Sequence, residues 1–164
     1  MPATYEPIAT STLGTASTTI TFSSIPATYT DLRLVMVGTS AGSADLFYRF
    51  NGVTTGSLYS STYLLGNGAT ASSVRTTSQN QITTGTTFGT TLPIMAILDV
   101  FSYAGSTNKT CLWDASADQN GSGSKRLGVG LFRSTSAITS VTVFSGGTNM
   151  DIGTTATLYG ILKA

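Results

Sequence analysis

Alternation of apolar and polar residues is the feature that most limits what this chain can fold into. In Asp31–Gly38, DLRLVMVG, apolar side chains that include Leu34 and Met36 occupy every second position. In a strand they therefore lie on one face. Residues 45–51, DLFYRFN, alternate likewise and are followed by Gly52, so an Asn-Gly reversal is expected there. A helix would need a period near 3.6, and the chain is therefore predicted to be built from strands.

Other short runs are rich in β-branched residues and are bounded by Gly, Ser, Asn or Asp. They are residues 17–22, 57–65, 72–79, 92–103, 109–115, 127–133, 138–144 and 157–162. Residues 72–79 fit either a paired strand or a loop. With about eight to ten strands and no convincing helix, residues 14–164 are predicted to form an all-β, single-domain antiparallel β-sandwich of jelly-roll type.

The predicted core consists of apolar residues that mostly alternate with polar or small neighbours. They are Leu34, Met36, Phe50, Ile97, Val129, Leu131, Val141, Val143 and Leu158. Residues 92–103, LPIMAILDVFSY, are apolar almost throughout. We expect that run to be buried on both sides, within the sandwich or under a neighbouring subunit.

Charge is scarce, and hydroxyl groups take its place. Only 9% of the residues are charged, against ~25% in an ordinary soluble domain, and Ser and Thr make up about a third of the chain. Thr is β-branched and fits a pleated surface, whereas Lys and Glu favour helices. A surface with so little charge associates readily, so we expect the protein to work within an assembly.

The small net charge argues against several partners. It is +1, with eight basic residues scattered singly, so no nucleic acid is expected to bind. The one basic cluster, Lys125, Arg126 and Arg133, is interpreted as a solvated loop edge. No apolar run is long enough to cross a membrane, and the N-terminal MPATYEPIAT is no signal peptide, so we expect synthesis in a cytoplasm.

Groups that commonly carry catalysis are missing or badly placed. The chain has no histidine, which removes the usual general base and the usual metal ligand. Asp114 and Asp118 are the only local acid pair, and nothing sets them apart as acid and base. Residues 114–126, DASADQNGSGSKR, lack calcium-loop spacing and are predicted to be a flexible loop. We therefore expect no enzyme activity, no cofactor and no metal.

Two side chains in residues 111–113 are interpreted as core. Cys111 is the single cysteine and lies in the apolar run TCLWD, so a buried thiol is favoured over a nucleophile. For Trp113 core packing is favoured over a role as a binding platform, since large aromatic side chains are mostly buried.

The N-terminal residues 1–13 are predicted to form an extended arm, because Pro2 and Pro7 block regular hydrogen bonding. Tyr5 and Ile8 are its sizeable apolar side chains before Leu13, apart from the initiator methionine, and are the expected assembly contacts. Self-association, as a homotrimer, is the expected state. The competing arrangement has the arm pack back on its own sandwich as an edge strand.

The order of several short motifs resembles a known family. They are YEPIAT, TLGTASTTITFSSIPATYTDLRLVM, RFNG, TYLLGNG, GLFRSTSAITSVTVF and TLYGI, and they extend from Tyr5 to Ile161. They are similar to small structural proteins of tailed bacteriophages, including phages of cyanobacteria.

The resemblance implies a non-enzymatic component on the outer surface of the virion, with no catalytic residues to carry over. A capsid decoration or cement protein would bind the major capsid protein. The alternative is a tail or fibre adhesin, which would contact other tail proteins and bind a host-surface glycan. Compactness and the absence of a shaft or a repeat favour decoration.

Overall fold

The structure, a computed structural model, describes residues 4–162 and contains strands but no helix over that range. In chain order the strands are β1 (Tyr5–Thr12), β2 (Thr19–Phe22), β3 (Asp31–Gly38), β4 (Asp45–Phe50), β5 (Tyr59–Gly66), β6 (Ala71–Gln79), β7 (Ile82–Thr87), β8 (Ile94–Val100), β9 (Lys109–Asp118), β10 (Gly123–Phe132), β11 (Val141–Ser145) and β12 (Thr155–Ile161). Within the described residues there is consequently no membrane-spanning helix.

Two antiparallel sheets hold these strands. The large sheet has eight strands in the order β1-β12-β3-β8-β9-β10-β5-β6, and the small sheet has four in the order β2-β11-β4-β7. Every pairing between neighbours is antiparallel. The prediction of an all-β, single-domain β-sandwich is confirmed.

Eight strands pass back and forth between the sheets along the chain. β1, β3, β8 and β12 lie in the large sheet, and β2, β4, β7 and β11 lie in the small sheet, so successive members of this set change sheets at every step except from β4 to β7, which are neighbours in the small sheet. The other four strands form two hairpins, β5–β6 and β9–β10, which adjoin each other in the large sheet. They widen that sheet on one side only, beyond β8.

The core lies between the sheets and follows the predicted alternation. Leu34 and Met36 of β3, with Leu158 of β12, are buried from the large sheet, and Val141 and Val143 of β11 are buried from the small one. Phe50 of β4 packs its ring against that of Phe132 in a tilted arrangement, with ring centres 5.6 Å apart. These placements agree with the predicted core.

Three residues predicted to be core lie instead on the outer face of the large sheet. Val129 is 41% exposed, and Leu131 and Ile97 are half-buried. On β10 two of the inward positions are glycines, Gly128 and Gly130, because neighbouring side chains fill the space there. A Cβ on Gly128 would stand 2.3 Å from the Trp113 ring, and one on Gly130 would stand 2.7 Å from Ile82.

The N-terminal segment forms strand β1, at the edge of the large sheet. Its residues pair with β12 from Tyr5, opposite Ile161, to Thr12, opposite Thr155, with a bulge after Pro7. The structure thus has the second arrangement considered for this segment, in which it packs on its own sandwich. Residues 1–3 of the predicted arm lie outside the described residues.

Candidate interaction surface

Strand register arranges the outer side chains of the large sheet in rows. One row runs from Leu64 on β5 through Leu127 on β10, Asp114 on β9 and Ile97 on β8 to Val35 on β3. The two adjacent rows contain Val129, Leu112, Asp99 and Arg33 on one side and Lys125, Ser116, Met95 and Val37 on the other. These rows cover the middle of the sheet on the side away from the core.

Two apolar clusters occupy these rows. Cluster one lies on β5, β9 and β10 and consists of Leu64, Leu112, Leu127 and Val129, which are 63%, 49%, 51% and 41% exposed. Cluster two lies on β3 and β8 and consists of Val35, Val37, Met95 and Ile97. Val37 and Met95 are 44% and 42% exposed, and the other two are half-buried. Exposed apolar side chains on so many adjoining strands are typical of a contact surface.

A diagonal of two ion pairs separates the clusters. Lys125 donates to the Asp114 carboxylate across β9 and β10. Arg33 binds Asp99 through two hydrogen bonds of 2.6 and 2.7 Å, which raise the pKa of the guanidinium further. Each cation on the diagonal therefore has a carboxylate partner on the same face, and the face carries little net charge of its own.

A shallow apolar hollow of about 420 Å³ lies within cluster one. Leu64, Leu112, Leu127 and Val129 stand around it, and the backbone of Gly128 forms part of its floor. The Trp113 and Tyr63 rings pack on the inner side of the same strands, with ring centres 5.4 Å apart. The hollow is therefore lined almost entirely by apolar atoms.

Of the two predicted assembly residues, the structure leaves one exposed. Tyr5 is 47% exposed, and the Arg33 guanidinium carbon lies 5.5 Å from its ring centre, at the end of the ion-pair diagonal. Ile8 is half-buried and packs against the chain's own core. Ile8 is thus engaged within the molecule, whereas Tyr5 adjoins the outer face of the large sheet.

The predicted loop at residues 114–126 is mostly strand, so that prediction is wrong. β9 continues to Asp118 and β10 begins at Gly123, which leaves a short turn. Pairing along β9 and β10 outweighs the turn-forming composition, because Lys125 can reach Asp114 across the ladder. Among residues 4–162 no three acidic or sulfur side chains are grouped as a metal would require.

The basic residues are held in the sheets. Within residues 4–162 all of them lie in strands except Arg133, which follows β10 directly. Arg126 points inward between the sheets and donates to Ser124, and Arg133 donates to the Ser57 carbonyl. The predicted basic cluster therefore does not form one continuous patch.

The aromatic and sulfur side chains that might have bound a ligand are in the core. Trp113 is 2% exposed, which confirms the prediction of core packing, and Tyr48, Tyr59 and Tyr103 are fully buried. Cys111 is a buried free thiol, and burial raises its pKa to about 12. Such a thiol is not a nucleophile at neutral pH.

The sequence did not identify cluster one as a surface, whereas for residues 92–103, which include Met95 and Ile97 of cluster two, it left open burial under a neighbouring subunit. Within one chain that run is not buried on both sides, since Met95 is 42% exposed. Two patterns in the sequence indicate the clusters: in residues 92–103 both alternating sets of side chains are apolar, and Leu127 and Val129 alternate with glycines.

A comparison with protein-family models gives no match, and a comparison with curated proteins gives none either. Functional inference for this chain therefore begins from its outer sheet face.

Proposed function

We propose that this protein is a non-enzymatic structural component of a tailed-phage particle and acts as a capsid decoration or cement protein. Its proposed partners are further copies of itself, as a homotrimer, and the major capsid protein. It would lie on the outer surface of the virion. The observation that carries a role in assembly is the outer face of the large sheet, where two exposed apolar clusters flank ion pairs.

Three features support this proposal. The motif order from Tyr5 to Ile161 resembles phage structural proteins. The surface has few charges to oppose contact with neighbours. The side chains that could support chemistry are engaged elsewhere, since Asp114 is paired with Lys125 and Cys111 is buried.

The jelly-roll assignment is part of the same proposal. Its support is the division of eight strands into two groups of four, with a change of sheet at every step along the chain except from β4 to β7, as in a double-sheet roll. On this interpretation β5–β6 and β9–β10 are hairpins added to an eight-stranded frame. Cluster one lies on these added strands.

A tail or fibre adhesin that binds a host glycan is the second candidate. The observation that favours it is a hollow of about 390 Å³ between the ends of the two added hairpins, where Asn67, Asp118 and Lys125 offer polar groups. No aromatic side chain lines it within the described residues, and sugar sites usually provide an aromatic face for stacking. Decoration is therefore the function we favour.

Copy number in purified particles tests the proposal. Quantitative mass spectrometry against the major capsid protein would give a number comparable with the coat subunits for a decoration protein. A handful of copies per particle would support the adhesin instead, and absence from the particle would overturn both. Enzyme-concentration-dependent release of reducing sugar from host polysaccharide would overturn the non-enzymatic part.

A further inference from the structure

We propose that the outer face of the large sheet is the surface through which copies of this chain associate, with cluster one of each copy packed on cluster two of the next. This inference rests on the self-association included in the proposed function and names its surface. The juxtaposition that carries it is two apolar clusters on one sheet face, separated by a diagonal of mutually paired charges.

The size of the face matches what a stable contact needs. With strands about 4.8 Å apart and residues about 3.3 Å apart along each, eight strands of about seven residues span roughly 900 Å² in total. One partner in a stable interface of standard size buries about 800 Å², so the whole face is large enough for such a contact. Its exposed apolar side chains lie on five adjoining strands, and exposed apolar surface of this kind marks an interaction site.

The charges on the face suit contact between identical surfaces. A second copy brings the same charges. An unpaired cation or carboxylate would therefore lie against a like charge or be buried without a partner, and burying an unpaired charge is energetically unfavourable. Here Lys125 has Asp114, and Arg33 has Asp99 in a bidentate pair. Because each pair is complete within one copy, the diagonal can be covered without a charged partner from outside.

The fold adds strands where cluster one lies. The β5–β6 and β9–β10 hairpins widen only the large sheet and are not among the eight strands that are divided four and four between the sheets. Leu64, the most exposed member of the cluster at 63%, lies on β5, and its cross-strand neighbour Leu127 is 51% exposed on β10. These hairpins thus build a platform whose outer side is apolar.

Other occupants fit the face less well. A glycan would need an exposed aromatic face among the clusters, but Trp113 and Tyr63 are turned to the core, and the exposed Tyr5 lies outside both clusters with the Arg33 guanidinium over its ring. A nucleic acid would need several unpaired cations. Arg33 and Lys125 are paired with carboxylates, which leaves Arg75 on β6 as the single cation without an ion pair among the described rows when they are continued to that strand. A sheet face packs well on another sheet face, and this chain supplies one in every copy.

Two distinct clusters fit a twofold pair, in which cluster one of each copy meets cluster two of the other in a single contact, and also a ring, in which the two clusters meet different neighbours. In a ring the contact is head-to-tail, and it closes when the rotation between neighbours divides a full turn. Three copies, as expected from the sequence, would each give one cluster to each neighbour. The apolar clusters would then face the axis of the trimer.

The test uses the full chain and two variants, Leu64→Asp in cluster one and Met95→Asp in cluster two. Size-exclusion chromatography with light scattering should give three times the monomer mass for the wild-type chain. Each variant should shift to monomer, with a rise of about tenfold or more in the dissociation constant. Ile152→Asp is the matched control, because Ile152 is 68% exposed but lies outside both clusters, and it should leave the mass unchanged.

Mixing the two variants tests the head-to-tail arrangement. Leu64→Asp retains an intact cluster two and Met95→Asp an intact cluster one, so the mixture should form a complex of two copies and no more. Far-UV circular dichroism checks that both variants fold, and Leu64→Thr and Met95→Thr, which suit a strand, repeat the test if either Asp variant does not.

Several results would overturn the inference. They are a wild-type monomer at high concentration, a trimer unaffected by either variant, equal loss with Ile152→Asp, or a mixture that stays monomeric. A monomer that binds coat protein through this face would replace the second copy with the capsid as its occupant. The copy number in particles is measured separately, so the virion proposal and this one can fail independently.

Discussion

Gly128 is one of two inward glycines of β10 at which the core has no room for a side chain. A Cβ built there would stand 2.3 Å from the Trp113 ring, which is fixed among the strands around it. Gly128→Ala is therefore expected to lower the free energy of unfolding by about 1 to 3 kcal/mol through overpacking, as measured by urea denaturation.

Gly66 in β5 is the matched control for this substitution. Its Cβ would meet nothing within 4 Å and its φ is not positive, so Gly66→Ala should change stability by no more than about 0.5 kcal/mol. Equal stability of the Gly128 variant and the wild-type chain would show that Trp113 can move aside.

The buried thiol of Cys111 makes stability depend on alkaline pH. Its pKa in the folded chain is raised to about 12 by burial, whereas an unfolded thiol ionises near pH 8.5. Between those values the unfolded chain loses the proton and the folded chain keeps it, so stability falls as pH rises, by up to about 1.4 kcal/mol per pH unit.

Cys111→Ala isolates that effect. Urea denaturation between about pH 9 and pH 11 should give a shallower loss of stability for the variant than for the wild-type chain. Buried Tyr59 and Tyr103, whose pKa values burial also raises, and Lys109, whose pKa burial lowers, are common to both chains. Identical slopes would mean that the thiol titrates normally in the folded state.

At the scale of single residues, alternation predicted a side chain's face well where one face is polar. Leu34 and Met36 were predicted correctly because Arg33 in β3 marks the other side. In β10, whether the glycines or Val129 face the core depends on Trp113 and Ile82, which belong to other strands. That information is not local to the sequence of β10.

The edge strand β1 is expected to contribute to the stability of the sandwich. It pairs with β12 along most of its length, and the hydroxyls of Thr10 and Thr12 bond those of Thr157 and Thr155 at 3.0 and 2.9 Å. Deleting residues 1–12 is therefore expected to lower the free energy of unfolding by more than about 2 kcal/mol, as measured by urea denaturation.

Tyr5→Ser is the control for that deletion. It removes one exposed ring and its contact with Arg33 but leaves the strand, so it should cost about 1 kcal/mol at most. A deletion variant with unchanged melting temperature that no longer binds particles would favour the docking arm instead.

The strand β7 shows why one element could not be predicted. Its sequence, ITTGTT, has one large apolar residue, Ile82, and an internal glycine. Thr84 and Thr86 fill its inward positions and are fully buried, and Thr84 donates to the Leu46 carbonyl. Burial of threonine leaves no mark in a hydrophobic pattern, so the strand becomes visible only when the sheets are assembled.

The fold class of the whole molecule could be predicted from the sequence, but the arrangement of its strands in the two sheets could not. Short alternating strands with turn residues between them indicate two packed sheets. The division into eight and four strands depends on pairings between distant segments, such as β1 with β12 and β5 with β10. The same long-range pairing creates the outer face, since Leu64 and Val35 become members of one row only when five strands adjoin.

The placement of the basic residues in strands determines how proteases act on the folded chain. Trypsin cuts after Lys or Arg and must draw an extended segment into its cleft, which a paired strand cannot supply without opening. Phe101, by contrast, lies 41% exposed in the turn after β8. Within residues 4–162 we therefore expect chymotrypsin to nick the folded protein at Phe101, whereas trypsin cuts at its strand sites only when the sheets open. Arg133, the one basic residue outside a strand in this range, is tied to β5 and the turn before it, since its backbone donates to the Leu58 carbonyl and its guanidinium to the Ser57 carbonyl. The rate of trypsin digestion should then report the opening of the sheets.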